Sequence, residues 1–142
     1  MAALSDAAQE KIKQSIEWAE NSTSGEVRVC LEKTCKIDVL DRAVACFNDL
    51  DMHKTKLNNG VLIYVATEDH KFAIIGDNGI NAVVPVDFWE TTKDLMASHF
   101  KNGDLAEGIS VGVIEAGKQL KKYFPYQTGD NNELSDDIVF LP

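Results

Sequence analysis

The sequence predicts an α/β protein, a three-layer α/β/α sandwich in which a small mixed sheet of three to four strands is flanked by about four helices. Three observations lead there. Val61-Leu62-Ile63-Tyr64-Val65 is apolar without alternation, the pattern of a central strand covered on both faces, so helices must pack on both sides of it. A strand pattern, a helix pattern and this run follow one another as a β-α-β unit, which closes as a parallel pair with a right-handed crossover. The second half of the chain then carries two helical patterns, each opening with Asp-x-x-Glu, at Asp87 with Glu90 and at Asp104 with Glu107.

The first helix covers 5–21, with Ala8, Ile12, Ile16 and Ala19 at helical spacing and Ser5 as N-cap. Glu26-Val27-Arg28-Val29-Cys30-Leu31 is the first strand, because Val27, Val29 and Leu31 alternate with the other three. The second helix runs from Asp38 to Leu50; Leu40, Ala43, Val44 and Phe47 share one face, and Asp38 can cap the free amides. Lys71-Phe72-Ala73-Ile74-Ile75 forms a hairpin with the central strand through the turn at 67–70. The third helix starts at Asp87 and is expected to bury Phe88, Thr92, Leu95, Met96 and His99. The fourth starts at Asp104 and buries Leu105, Ile109, Val113 and Ala116.

At 142 residues, with 44% hydrophobic and 26% charged residues, the chain fits one folded domain, placed at 1–127. Residues 128–142 contain Asp130, Glu133, Asp136 and Asp137 and no basic residue, and read as an acidic C-terminal tail; its apolar stop, Ile138-Val139-Phe140-Leu141, could alternatively dock on the domain. Lys+Arg of 14 against Asp+Glu of 23 gives a net charge of −9, which repels nucleic acid and anionic membranes and favours cations or a basic protein partner. No segment approaches a membrane span and the first residues lack the pattern of a secretory signal, so a cytoplasmic location without membrane insertion is expected. Cys30, Cys35 and Cys46 lack CxxC spacing and read as reduced structural thiols.

In this topology three loops meet at one end of the sheet: the start of the first strand at Glu26, the start of the second at Asn58 and Asn59, and the exit from the third at Asp77 and Asn78, with Asp87 following. Their side chains offer only oxygen ligands, which select hard cations such as calcium, magnesium or manganese. Asp77, Glu26, Asn78 and Asp87 are the candidate metal ligands, Asp77 and Glu26 being the anionic pair and calcium favoured over magnesium. Ordinary turn chemistry is the competing explanation of each, and Asp87 has a further role as a cap. Asp38 and Asp41 lie at the opposite end of the sheet and stay outside the site.

Thr23-Ser24-Gly25-Glu26-Val27-Arg28-Val29, Asn59-Gly60-Val61-Leu62-Ile63-Tyr64-Val65, Gly76-Asp77-Asn78-Gly79-Ile80 and Phe100-Lys101-Asn102-Gly103-Asp104-Leu105 with Gly108 resemble, in order and spacing, the successive motifs of the TPM-domain family. That family is named for a plant thylakoid-lumen protein, a photosystem II repair protein and a nematode receptor modulator, and is described as a phosphatase family. The resemblance implies the sandwich, a divalent-metal site and weak metal-dependent phosphatase activity. The loop at 76–79 is a residue longer than the common form.

Motifs for a covalent mechanism are absent. A cysteine phosphatase needs C-x5-R, and Cys35 and Arg42 miss that spacing by one residue. Asp49-Leu50-Asp51 sits at a helix end, and no P-loop, GxSxG, GxGxxG or HExxH occurs. Arg28, on a strand covered on both faces, is expected to pair with Glu26 or Glu32 or to reach water. The resulting expectation is a TPM-like domain that binds a divalent cation, with a non-catalytic interaction module ordered by that cation as the alternative.

Overall fold

The computed structural model describes residues 4–126 and 138–142. Its elements are α1 (Asp6–Ser22), β1 (Glu26–Glu32), α2 (Val39–Asp49), a short 3-10 turn (Met52–Lys54), β2 (Gly60–Ala66), β3 (Lys71–Gly76), α3 (Asn78–Asn81), α4 (Phe88–Lys101), α5 (Leu105–Tyr123) and β4 (Val139–Phe140). The sheet has the order β3-β2-β1-β4, with β1 parallel to both β2 and β4 and β3 antiparallel to β2.

Every residue of β2 is buried, as its unbroken apolar run requires. On one face Val27, Val29 and Leu31 of β1 and Val61, Ile63 and Val65 of β2 pack under Ile12 and Ile16 of α1, Met96 of α4 and Ile109, Val113 and Leu120 of α5. On the other, Cys30, Leu62, Tyr64 and Ala73 meet Ala43, Cys46 and Phe47 of α2 and Met52. Two helical layers therefore enclose one sheet. The close approach of α5 depends on Gly112, where a Cβ would stand 2.5 Å from the Met96 sulfur and 3.1 Å from Ile63 Cδ1.

Asp38 caps α2 by accepting from the N–H groups of Leu40 and Asp41, and Asp104 caps α5 by accepting from Glu107 N–H at 3.0 Å. Asp87 occupies the N-cap position of α4, but its carboxylate makes no cap hydrogen bond, so the expected Asp-x-x-Glu cap forms at only one of the two sites. The buried stripes are also narrower than the periodicity suggests. Leu95 of α4 is 40% exposed, and Leu40 and Val44 of α2 are 53% and 47% exposed, the last two because the sheet ends at β3 before it can cover the full apolar face of α2.

The last residues of the expected tail belong to the sheet. Residues 127–137 lie outside those described. Ile138 is buried, Val139 and Phe140 pair in parallel with Cys30 and Leu31, and Leu141 N–H donates to Leu31 C=O at 2.8 Å. Of the two readings of the apolar stop, free tail or docked segment, residues 138–142 follow the second: β1 would otherwise border the core with unpaired backbone groups. Deleting residues 138–142 should cost about 2–4 kcal/mol, the scale of one buried isoleucine plus lost strand hydrogen bonds, and should appear as a lower melting temperature. An unchanged melting temperature would contradict the pairing.

Candidate functional site

The three loops do converge, and backbone hydrogen bonds join them. Glu26 N–H donates to Asn59 C=O at 3.4 Å, Asp77 N–H to Gly60 C=O at 2.9 Å, and Gly79 N–H to Asn58 C=O at 2.7 Å. Asn58 adopts a left-handed backbone with φ of 52°, which Asn tolerates better than most residues. Gly79 is required by proximity: a Cβ there would overlap the carbonyl of Leu57 and lie 2.6 Å from that of Asn58. Gly79→Ala should therefore force the two loops apart and cost about 1–3 kcal/mol, measured by chemical unfolding. A neutral substitution would show that the junction is loose.

Each candidate ligand has a definite place around that junction. Asp77 directly follows β3 and is the N-cap of α3; Oδ1 accepts from Asn78 N–H at 2.8 Å, while Oδ2 is buried without a hydrogen-bond partner. Asn78 is exposed on the first position of α3. Glu26, paired in register with Gly60, is 1% exposed on the strand two removed from β3. Asp87 is exposed at the start of α4, which the hydrogen bond from Trp89 Nε1 to Asn81 Oδ1 ties to α3.

Asn59 is the most deeply enclosed amide of the set. It is 1% exposed; its backbone N–H reaches Thr55 Oγ1 at 3.2 Å, yet its side-chain Oδ1 and Nδ2 have no hydrogen-bond partner. Glu20 is a further buried carboxylate, 2% exposed at the end of α1, and its Oε1 accepts from Val27 N–H at 2.9 Å. Helical periodicity places Glu20 beside Ala19 with no sign that it turns inward. Among the described residues no group of three or more His, Cys, Asp or Glu side chains gathers to hold a metal ion, so an ion at this junction would rest on one carboxylate with amide, carbonyl and water oxygens.

The family model for the TPM domain matches residues 1–125, nearly the whole described body. The chain belongs to the TPM-domain family. It is similar over 98% of its length to the BA42 protein of the psychrophilic bacterium Bizionia argentinensis, at 48% identity and a TM-score of 0.90, covering 96% of that chain. The N-terminal domain of a P. gingivalis protein shares the fold at 22% identity and a TM-score of 0.71, over 87% of this chain and 82% of that one. The N-terminal domain of cg2496 from Corynebacterium glutamicum does so at 12% identity and 0.66, over 82% and 74%. No curated protein matches the chain.

The opposite end of this TPM domain holds a different polar group. Arg42 reaches Glu32 through two hydrogen bonds, Nε to Oε2 and Nη2 to Oε1, both 3.0 Å, and Tyr64 Oη donates to Oε2 of the same carboxylate. Glu32 is thus the arginine's partner, and Arg28 pairs with neither expected glutamate: it is half-buried, and its Nε makes no hydrogen bond among the described residues. With Arg42 committed and Cys30, Cys35 and Cys46 all buried, a cysteine nucleophile with a phosphate-binding arginine has no place to form. Burial pushes the Cys30 thiol up to about 12 and raises that of Cys46.

The Arg42 guanidinium, with help from the Tyr64 hydroxyl, holds the Glu32 carboxyl below its ordinary range. The unfolded chain therefore takes up the proton first, near about pH 4.3. The stabilisation is complete above that pH and is lost as pH falls through the lower folded value. Arg42→Leu should cost about 2 kcal/mol at neutral pH and flatten the acid limb of the stability profile. Parallel profiles for the two proteins would remove Arg42 as the cause.

Proposed function

We propose that this TPM domain binds a hard divalent cation, calcium in preference to magnesium, at the junction of the three loops, with Asp77 as the principal ligand. The observation that carries the reading is the buried Asp77 Oδ2 without a hydrogen-bond partner, at a junction that also encloses the unpartnered amide of Asn59. A buried polar atom left unpaired costs about 1–3 kcal/mol, a cost that a ligand at the junction offsets. Asn78, next to Asp77 in the chain, Glu26 on β1 and Asp87 at the start of α4 are the companion ligands of this reading, two of them exposed and one buried. Calcium suits a mixed set of carboxylate, amide, carbonyl and water oxygens, whereas magnesium demands near-ideal octahedral geometry. With few anionic groups the affinity should fall toward the weak end, about 10⁻⁴–10⁻³ M.

Hydrolysis of phosphate esters, if this domain performs it, would rest on the cation, which polarises a phosphoryl oxygen and lowers the pKa of water. Among the described residues no activated side-chain nucleophile supports a covalent route. The activity is accordingly secondary to binding. A non-catalytic module whose loops are ordered by the cation is the alternative, and the exposed apolar residues on α2 favour it.

Binding to the folded state alone adds about 2.7 kcal/mol when the ion is at about a hundred times its dissociation constant. The melting temperature should rise with calcium and return with chelator, and Asp77→Ala should abolish the difference. Equal responses of the two proteins, or an ion located at Asp38 and Asp41, would refute the assignment. Turnover of a generic aryl phosphate should be slow and should vanish with chelator; fast turnover in chelator would overturn the metal-dependent route.

A further inference from the structure

One border of the sheet is closed by β4, but the other is β3, and no described element pairs with its outer edge. Proteins usually blunt such an edge with proline, a bulge or inward charge. Lys71-Phe72-Ala73-Ile74-Ile75-Gly76 has none of these; its guards stand at the two ends, the exposed Lys71, whose Nζ donates to Cys35 C=O at 3.3 Å, and the Asn81 side chain on Gly76, and its register against β2 is unbroken from Ala66↔Lys71 to Val61↔Gly76. Along the edge lies a groove of about 340 Å³, whose lining includes Leu40, Val44, Phe47, Ile75, Asp77 and Trp89.

Hydrogen-bond parity fixes which backbone groups face outward. Asp77 N–H bonds to Gly60 C=O, and inward-bonded residues recur at every second position of an antiparallel ladder. Phe72, Ile74 and Gly76 therefore present their N–H and C=O groups to the open edge. Gly76 C=O does so visibly, accepting from Asn81 Nδ2 at 2.7 Å and retaining a second lone pair.

We propose that β3 pairs antiparallel with β3 of a second copy of this chain, about a twofold axis through Ile74. This register sets Ile74 opposite Ile74, Phe72 opposite Gly76, Ala73 opposite Ile75 and Lys71 opposite Asp77. On either side of the central isoleucine pair large side chains meet small ones, and the two strand ends are oppositely charged. The other twofold registers allowed by parity, centred on Phe72, Ala73, Ile75 or Gly76, set Lys71 opposite Ala73 or Ile75, or Asp77 opposite Ala73 or Ile75, and shorten the pairing. Complementarity thus selects one register and one occupant. The helices flanking β3, α2 on one face and α4 on the other, would continue the same layers across the axis, and the exposed Leu40 and Val44 of both copies would come together. The charge of −9 on each copy opposes association at long range, but at physiological ionic strength screening confines that repulsion to about 8 Å and leaves the contact pairs.

Sedimentation equilibrium over a concentration series tests the proposal. The wild type should pass from a 15.7 kDa particle to twice that mass as concentration rises. Lys71→Asp, at an exposed position, should weaken association roughly tenfold or more by replacing two attractive contacts with two repulsive ones. The double variant Lys71→Asp/Asp77→Lys should restore it. Wild type that stays monomeric up to millimolar concentration overturns the proposal, as does a dimer indifferent to Lys71→Asp or not rescued by the exchange. Because Lys71 lies outside the loop junction, Lys71→Asp should keep the calcium-dependent rise in melting temperature that Asp77→Ala abolishes, so failure of the dimer and failure of the cation site read out separately.

Discussion

The burial of β2 on both faces is the constraint from which the architecture follows. Seven consecutive residues, Gly60–Ala66, are buried, so their side chains need a partner above and below and their backbone groups a strand on each side. β1 and β3 meet the second need. The first is met unequally. α1, α4 and α5 cover one face and α2 alone covers the other, where Tyr64 and Met52 supply bulk that a second helix would otherwise bring. The thinner layer is also where apolar helix surface is left exposed.

How much of this was legible depends on whether the signal was local. The apolar run of β2, the cap at Asp104 and the buried face of α5 are written in residues close together in sequence, and each stands where expected. Convergence of the loops was legible too, since a parallel pair followed by a hairpin brings those ends together whatever the side chains. What eluded sequence reasoning depends on where the sheet stops. Periodicity gives α2 a stripe containing Leu40, Ala43, Val44 and Phe47, but only the position of β3 decides that the first and third remain exposed. Likewise Ile138-Val139-Phe140-Leu141 reads as a short apolar stop, and its pairing partner, Cys30 with Leu31, is more than a hundred residues away.

The candidate site divides along the same line. That Asp77 and Asn59 lie at one junction follows from topology; that the Asp77 Oδ2 and the Asn59 amide are enclosed follows from packing, which no motif encodes. Asp87 shows the converse. Its spacing to Glu90 is that of a capping pair, yet the chain reaches it through Pro85, whose carbonyl already accepts from Phe88 N–H at 3.0 Å, and its carboxylate is left facing solvent. Glu20 carries no signal at all, because a glutamate at the end of an amphipathic helix usually lies on the solvated side. Only the neighbouring start of β1, with Val27 N–H needing an acceptor, turns it inward.

Asp77 stands where two readings of this domain meet. It follows the last residue of β3, so it stands at the end of the open edge, and it caps α3 at the loop junction, where its Oδ2 is buried. One carboxylate cannot give its full charge to a cation and to a lysine across the strand boundary at once. If both occur, linkage requires that the cation weaken the β3–β3 contact by the same factor by which that contact weakens cation binding. The sign of this coupling is set by charge alone and does not depend on any change of fold. A domain with a rigid doubly covered central strand would thus carry its adjustable chemistry at the single residue where its uncovered edge reaches its loops.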